Sequence, residues 1–363
     1  MATLKRLPSS LPHKTTALVR VDFNVPFDNQ GRIIDTRRIT NHLPTIQFLL
    51  KQHCSVILIA HLGKPDGKVK TSLSFAPIID QLAQLLHINI TLQKLEDYQQ
   101  SSEITLLENI RFYPGEEVND KNFSHQLSQL GTIFINDAFS VSHRAHASTM
   151  GITEYLPSYA GFALEKEYNN LQSVLHNPPK PFTLLIGGKK VSDKIGVLDH
   201  FLPKVDQVLI GGACANVFYQ ALHKDIGKSY SETSMVDHCR ELLEKYSHKI
   251  VLPEDFQVQD EMNLDIGYKT IKNFQTIISK SHTVVWAGPM GKYEDAQFNH
   301  GNEAMLDAIT QPGILSIIGG GDTLAALQHQ TNLQKASFLS LGGGAMLEFL
   351  AKEHLPGIDC LIQ

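Results

Sequence analysis

SIIGGGDTLAAL (Ser316–Leu327) is the stretch whose reading decides the fold: an apolar run stops at three glycines, and a helix-period run follows at once. The same order occurs in LLIGGKKVSDK (Leu184–Lys194), VLIGGACANVF (Val208–Phe218) and LSLGGGAMLEFL (Leu339–Leu350). Glycine lets the backbone approach a ligand, and the helix start behind it offers free amides and a positive dipole end. Glycine also serves tight strand–helix packing, so one such turn says little. Four in one half of the chain point to a phosphate-rich ligand, a nucleotide. GxxxxGK[ST] does not occur, which excludes a P-loop, and the lack of GxGxxG weakens a dinucleotide reading. Lys190 and Lys194 lie four apart at a helix start and can face one phosphate chain; a solvated lysine face is the alternative. Asp322 follows the GGG turn, where it can meet a nucleotide-bound Mg2+ or cap the helix.

Outward from these turns, short β-rich runs alternate with helical-period segments, the pattern of a doubly wound parallel sheet. Strands are expected at Phe182–Ile186, Gln207–Ile210, Lys249–Leu252, Thr283–Trp286, Leu315–Ile318 and Ser337–Leu339. In the first half they are expected at Ala17–Val25, Ser55–Ala60, Ile88–Leu92, Ile104–Leu107 and Thr132–Ile135, with an amphipathic helix over Arg38–Gln52. A charged helical stretch, ALEKEYNNLQSVLH, runs into NPPKP, so the junction between the halves is expected around Leu164–Pro181. The fold class is therefore α/β: two doubly wound parallel-sheet domains joined by a helical hinge. At 363 residues the chain is long enough for both.

The first half carries a different chemistry. In ALVRVDFNV, alternation puts Val19, Val21, Phe23 and Val25 on one face and Arg20, Asp22 and Asn24 on the other. SVILIA ends in HLGKPDG, delivering His61 and Lys64; ITLL ends in ENIRF, delivering Arg111; TIFIND ends in AFSVSHRAHAST, delivering His143, Arg144 and His146. Ligands of open α/β sheets bind at the carboxyl ends of strands. A lone arginine or histidine is usually a satisfied surface residue, but here strand after strand ends in a cation. The pattern suits a small, multiply anionic substrate, because guanidinium forks match carboxylate and phosphate oxygens.

Net charge is −5 and the basic residues are not interleaved with aromatics, which argues against nucleic acid and anionic membrane as partners. The four cysteines (Cys54, Cys214, Cys239, Cys360) lack CxxC spacing, so neither a zinc site nor a disulfide framework is expected. The N-terminus has no apolar signal-like run, and the expected location is the cytoplasm.

Taken together, VRVDFNVP, HLGKPDG, LLENIRF, FINDAFSVSHRAHAST, GGKKVSDK, VLIGGACANVF, LPEDF, LDIG, VVWAGPMGKYE, IIGGGDT, LGGGAMLE and LPGI resemble the phosphoglycerate kinase family, in family order. The resemblance implies reversible, Mg2+-dependent phosphoryl transfer between 1,3-bisphosphoglycerate and ADP, giving 3-phosphoglycerate and ATP, by a monomer. It implies a 3-phosphoglycerate domain (1–165), a Mg-nucleotide domain (166–350) and a C-terminal segment (351–363) returning toward the first. By motif position, Asp22, Asn24, Arg38, His61, Lys64, Arg111, His143 and Arg144 contact the phosphoglycerate. Lys190, Lys194, Gly211, Gly212, Glu294 and the turn Gly319, Gly320, Gly321, Asp322 and Thr323 border the nucleotide, with Asp322 on the metal side. Arg38, Lys190 and the amides of Gly342, Gly343 and Gly344 surround the phosphoryl group in flight, and hinge closure precedes transfer.

The chain departs from the family pattern at several positions. Ala287 stands for the asparagine of WNGP, Leu341 for the threonine of STGGGA, Lys64 for the arginine of HLGRP and Tyr268 for the proline of DIGP. Lys189 is an added charge, Lys292–Tyr293 replaces an apolar-aromatic pair, and the loop after Phe256 is short. These leave the nucleotide base preference open. They also leave open a second reading: a relative that binds ligands without transferring phosphate.

Overall fold

The structure, a computed structural model, describes residues 3–28, 30–100 and 103–363. The chain divides into two compact units, Met1–Asn169 with His354–Gln363, and Asn170–Glu353. The division falls inside one continuous helix, Phe162–His176, rather than in a linker. The last ten residues belong to the first unit, where Gly357 N donates to Ser142 O and Asn136 Nδ2 donates to Gly357 O.

The first unit is built on a parallel sheet of β1 (Thr16–Arg20), β2 (Ser55–Ile59), β3 (Ile90–Gln93), β4 (Ile104–Leu107), β5 (Ile133–Asn136) and β6 (Ser158–Ala160), in the order β3-β4-β2-β1-β5-β6. Successive side chains serve opposite faces. Ala17, Val19, Val56 and Leu58 enter one apolar core, while Leu18, Ile57, Ile59 and Phe134 enter another. Burial on both sides is why these strands read as near-continuous apolar runs. β1 stops at Arg20, five residues short of the expected end. Val21 N still reaches Ile59 O, but Asp22 N donates to His42 Nε2 instead of to a neighbouring strand. Val21, Phe23 and Val25 nevertheless stay in the core. The expected helix over Arg38–Gln52 is two pieces, Arg37–Thr40 and Leu43–Lys51, with Pro44 in the first turn of the second.

The second unit has a parallel sheet of β7 (Phe182–Ile186), β8 (Gln207–Ile210), β9 (Ile250–Val251), β12 (Thr283–Ala287), β13 (Leu315–Gly319) and β14 (Phe338–Ser340), in the order β14-β13-β12-β7-β8-β9. Between β9 and β12 lies an antiparallel hairpin, β10 (Phe256–Gln259) and β11 (Met262–Ile266), which the sequence reading treated only as a short loop. Its tight turn, Asp260 and Glu261, has both residues left-handed. Both sheets are the doubly wound parallel type expected.

Candidate functional site

In the first unit, β4, β2, β1 and β5 are consecutive neighbours, so their carboxyl ends lie side by side at strand spacing. Those ends carry Arg111, His61, Asp22 and the segment holding His143 and Arg144. Arg38 Nη1 donates to Asp22 Oδ2 at 2.7 Å, and Ser140 Oγ donates to the same oxygen. Asn24 N donates to Asp22 Oδ1, while Asn24 Oδ1 accepts from Gly63 N. Arg111 Nη1 donates to Gly63 O at 2.9 Å, and its Nε lies 3.2 Å from Glu117. Arg144 Nε donates to His143 Nε2.

The electrostatics tie these groups together. Burial would raise the Asp22 carboxyl, but Arg38, then His61, Ser140 and the Asn24 amide, bring it down to about 2. Burial, then Arg20, lowers His61 well below the usual imidazole range. Burial followed by Arg111, Arg20 and Arg144 lowers His146 to about 3. His61 thus feels Arg20, Asp22, Arg111 and Arg38, and His146 feels Arg111, Arg20, Arg144 and His143. Lys64 stands apart as an exposed side chain on the turn after β2.

Sequence reasoning did not find the layer beneath. His42 accepts Asp22 N on Nε2, so its Nδ1 carries the proton donated to Asp137 Oδ2 at 2.7 Å. Arg20, Glu116 and Ser148 form a buried group of their own. Glu116 beside Arg111 and Ser148 in AHAST had no pattern to announce them, because their meaning depends on which loops the sheet order brings together.

In the second unit, β14, β13, β12, β7 and β8 are consecutive, and each runs into glycine. The turn after β12, Ala287–Gly291, is a fifth that the count of four omitted, and it sits in the middle of the row. A cavity of about 480 Å3 is lined by Lys194, Ala287, Gly288, Gly320, Gly321, Asp322, Thr323, Gly343, Gly344 and neighbours. A second, of about 340 Å3, is lined by Gly188, Lys189, Gly212, Asn216, Tyr230, Met262, Asn263, Leu264, Lys292, Tyr293, Glu294 and Asp322, among others. Asp322 is exposed and borders both. Lys194 is buried, its Nζ donating to Lys190 O, whereas Lys190 is exposed and lines neither cavity.

The glycines divide their labour. A side chain on Gly319 would collide with Met346 Sδ, and one on Gly211 would meet Met290 Sδ, so these two are packing glycines outside both cavities. Gly320 (φ +99°) and Gly288 (φ +95°) have backbones that favour glycine, and they form cavity wall. Thr323 Oγ1 accepts Gly288 N, locking two turns together. Gly342 N is taken by Ser340 Oγ, leaving Gly343 and Gly344 at the wall. Of the departures, Ala287 lines the first cavity, and Lys189, Lys292 and Tyr293 line the second. Tyr268 is 67% exposed, with Lys272 over its ring, and lines neither. The short loop is the hairpin that supplies Met262, Asn263 and Leu264 to the second cavity.

The family model described as phosphoglycerate kinase matches residues 11–353. The chain belongs to the phosphoglycerate kinase family. It is 43% identical over 375 residues to the phosphoglycerate kinase of Coprothermobacter proteolyticus, covering 95% of each chain. It is 41% identical to that of Acaryochloris marina, over 99% of this chain and 98% of the other. Among solved structures, phosphoglycerate kinase from Coxiella burnetii superposes with a TM-score of 0.85 at 35% identity, covering 96% of each chain. That from Pyrococcus horikoshii OT3 gives 0.86 at 29% identity over the same shares. Nothing in these comparisons favours a phosphoglycerate kinase relative that merely binds its ligands. The family is one of kinases using a nucleotide substrate.

Proposed function

We propose that the first unit binds 3-phosphoglycerate through the basic strand-end cluster and that the second binds ATP or ADP in its glycine-walled cavities. As a phosphoglycerate kinase the chain transfers phosphate to the carboxyl group of 3-phosphoglycerate, a glycolytic reaction. The observation that carries the division of labour is the row of adjacent strand ends bearing Asp22, His61, Arg111 and the His143–Arg144 pair. Asp22, held ionised by Arg38, orients that guanidinium, and Arg111 and Arg144 supply further forks for carboxylate and phosphate. We read the enzyme as a cytoplasmic monomer; among the described residues no helix is long and apolar enough to cross a membrane.

In the ATP-consuming direction a carboxylate oxygen of 3-phosphoglycerate forms a bond to the terminal phosphorus as its bond to the ADP oxygen breaks. Such a reaction asks the protein for alignment and charge neutralisation more than for covalent chemistry. Arg38 and Lys190 neutralise the phosphoryl oxygens, Lys194 holds the nucleotide phosphates, and the Gly343 and Gly344 amides open the helix Gly344–Lys352 toward the group in transfer. Gly212, Glu294 and the turn Gly320–Thr323 border the nucleotide. Among the described residues no cluster of three or more His, Cys, Asp or Glu could hold a metal unaided. One exposed carboxylate, Asp322, fits Mg2+, which takes one or two carboxylates and completes its shell with phosphate and water. Bound there, Mg2+ supplies charge neutralisation of the nucleotide phosphates.

The deciding assay is 3-phosphoglycerate-dependent ATP consumption, coupled to NADH oxidation by glyceraldehyde-phosphate dehydrogenase. Steady turnover is expected. Binding of both ligands with no turnover on ATP, GTP or other nucleotides would sink the reading.

A further inference from the structure

Arg20 is the last residue of β1 and is wholly enclosed, yet the binding scheme above gives it no task. Its donors are spent on protein. Nε donates to Ser148 Oγ at 2.8 Å, Nη1 donates to Val21 O at 2.6 Å, and Nη2 lies 3.2 Å from His61 Nδ1. Its counter-charge is Glu116, also enclosed, whose Oε1 accepts from Ser148 Oγ at 2.6 Å and whose Oε2 accepts from Ser148 N at 2.9 Å. The chain Glu116–Ser148–Arg20–His61 is continuous. A guanidinium has only donors, so the ring nitrogen facing it must be the acceptor. His61 then carries its proton on the other nitrogen.

We propose that Arg20 is a positioning residue that holds His61 as the neutral tautomer protonated on Nε2, so that His61 presents a fixed N–H to an oxygen of the bound phosphoglycerate. The inference rests on the reading of the first unit's basic cluster as the phosphoglycerate site. The other groups facing His61 agree with it. Arg111, after β4, and Arg38, on the helix Arg37–Thr40, disfavour a second ring proton, as does burial; Asp22 alone favours one and is already engaged with Arg38. The histidine therefore contributes direction, while the surrounding guanidiniums contribute charge. A neutral donor of this kind keeps its hydrogen bond unchanged through the pH range in which free imidazole titrates.

The test begins on the unmodified protein. In 15N spectra of histidine-labelled enzyme, the His61 ring, assigned by its loss in His61→Gln or His61→Asn, should show a bare Nδ1 and a protonated Nε2 from pH 7.5 to 5.5. Saturating 3-phosphoglycerate should shift Nε2. A proton on Nδ1, or an imidazolium at pH 6, overturns the proposal. So does 3-phosphoglycerate that binds by calorimetry but leaves Nε2 unmoved. Binding that is indifferent to Arg144→Ala and Arg111→Ala instead overturns the site reading on which the proposal rests.

Arg20→Met strands Glu116, so the kinetic arm uses Arg20→Met with Glu116→Gln, and Arg20→Lys as the conservative variant. The double variant should raise KM for 3-phosphoglycerate about tenfold with kcat nearly kept, the signature of lost uniform binding to a charged ligand. Relative to the unmodified enzyme at each pH, that KM should fall as pH drops through about 6.5, where a released imidazole charges. Arg20→Lys should restore much of the affinity and remove the added pH dependence. Equal loss of kcat and affinity in both variants, with no new pH dependence, marks Arg20 as merely structural and overturns the proposal.

Discussion

The two units handle anions by opposite means. The first uses side chains, and most of them are held by a second layer: Arg38 by Asp22, Asp22 by Ser140 and His42, His42 by Asp137. The second uses backbone, in a row of glycine turns whose charged companions Lys190, Asp322 and Glu294 are exposed and only Lys194 is buried. Side chains recognise a small substrate by fork geometry, and desolvation makes each fork stronger but costly to leave unpaired. Backbone amides suit a phosphate chain and survive every substitution but proline, yet some of these turns, such as that at Gly288, have shapes that exclude a side chain. The first site is therefore sensitive to charge and pH, and the second to shape.

The largest effect that separates them should come from charge in the first unit. Arg38 is only 31% exposed in its side chain, and among the described residues its ion-pair partner is Asp22. Arg38→Ala should lower kcat about 10²–10³-fold, as loss of one preorganised donor does, and it should also lower the melting temperature, because the buried Asp22 carboxylate loses its counter-charge. A loss under tenfold in the coupled assay would remove Arg38 from the transfer step.

Shape is tested by two glycines in the second unit. Gly288 has φ +95°, and a methyl there would meet the Gly187 carbonyl oxygen; Gly344 begins a helix with nothing within 4 Å of the added carbon. Gly288→Ala should destabilise by about 2–4 kcal/mol through backbone strain and displacement of packed turns. Gly344→Ala should be neutral or slightly stabilising, since alanine is the better helix former. Equal melting temperatures for the two would refute the shape argument.

Much of this contrast was legible in the chain. The strands expected at Phe182–Ile186, Gln207–Ile210 and Ile104–Leu107 match their observed limits, because two-sided burial leaves unbroken apolar runs with sharp ends. The cations were legible because strands deliver residues at their ends and a parallel sheet aligns those ends. What stayed hidden depends on three dimensions. Arg20 read as one more polar residue on an alternating strand, since its partners Glu116 and Ser148 are 96 and 128 residues away in sequence. The hairpin over Phe256–Ile266 read as a short loop, since a four-residue polar strand on a small sheet has little periodicity. Tyr268 read as a change near the nucleotide, but it opens a surface helix.

Two buried groups, one in each unit, should respond to acid with opposite sign. His146, held near 3 by burial and then by its arginine neighbours, stays neutral in the folded first unit, while an unfolded histidine takes a proton below about 6.5. Its stabilisation is complete above about 6.5 and is lost as pH falls toward 3, by at most about 1.4 kcal/mol per pH unit, and His61 adds to it in the same direction. In the second unit burial raises Asp265 to about 6, against the amides of Gly301 and Ile266. Between about 6 and 4 the folded form holds that proton and the unfolded form does not, so Asp265 adds stability as pH falls through that range. In hydrogen exchange from pH 7 to 5, His146→Gln should flatten the first unit's loss of protection, and Asp265→Asn should steepen that of the second. Slopes unchanged by either substitution would refute the assignment of these shifts.

The smallest effect expected belongs to Lys64, where the resemblance implied a substrate contact. The structure leaves its side chain exposed on the turn, and Lys64 is not among the charges named as acting on His61 or His146. A solvated ammonium keeps its hydration and is screened by salt, so its pull on a bound anion is worth roughly 0–1 kcal/mol. Lys64→Ala should raise KM for 3-phosphoglycerate by less than about fivefold at low ionic strength, and the difference should vanish toward 0.5 M salt. Lys64→Arg regains a bidentate fork, and if the turn can bring it to the ligand it should bind more tightly than the unmodified enzyme. A loss of tenfold or more in Lys64→Ala that survives high salt would mean that the turn after β2 folds over the substrate. The first unit's site would then share the dependence on loop shape that otherwise distinguishes the second.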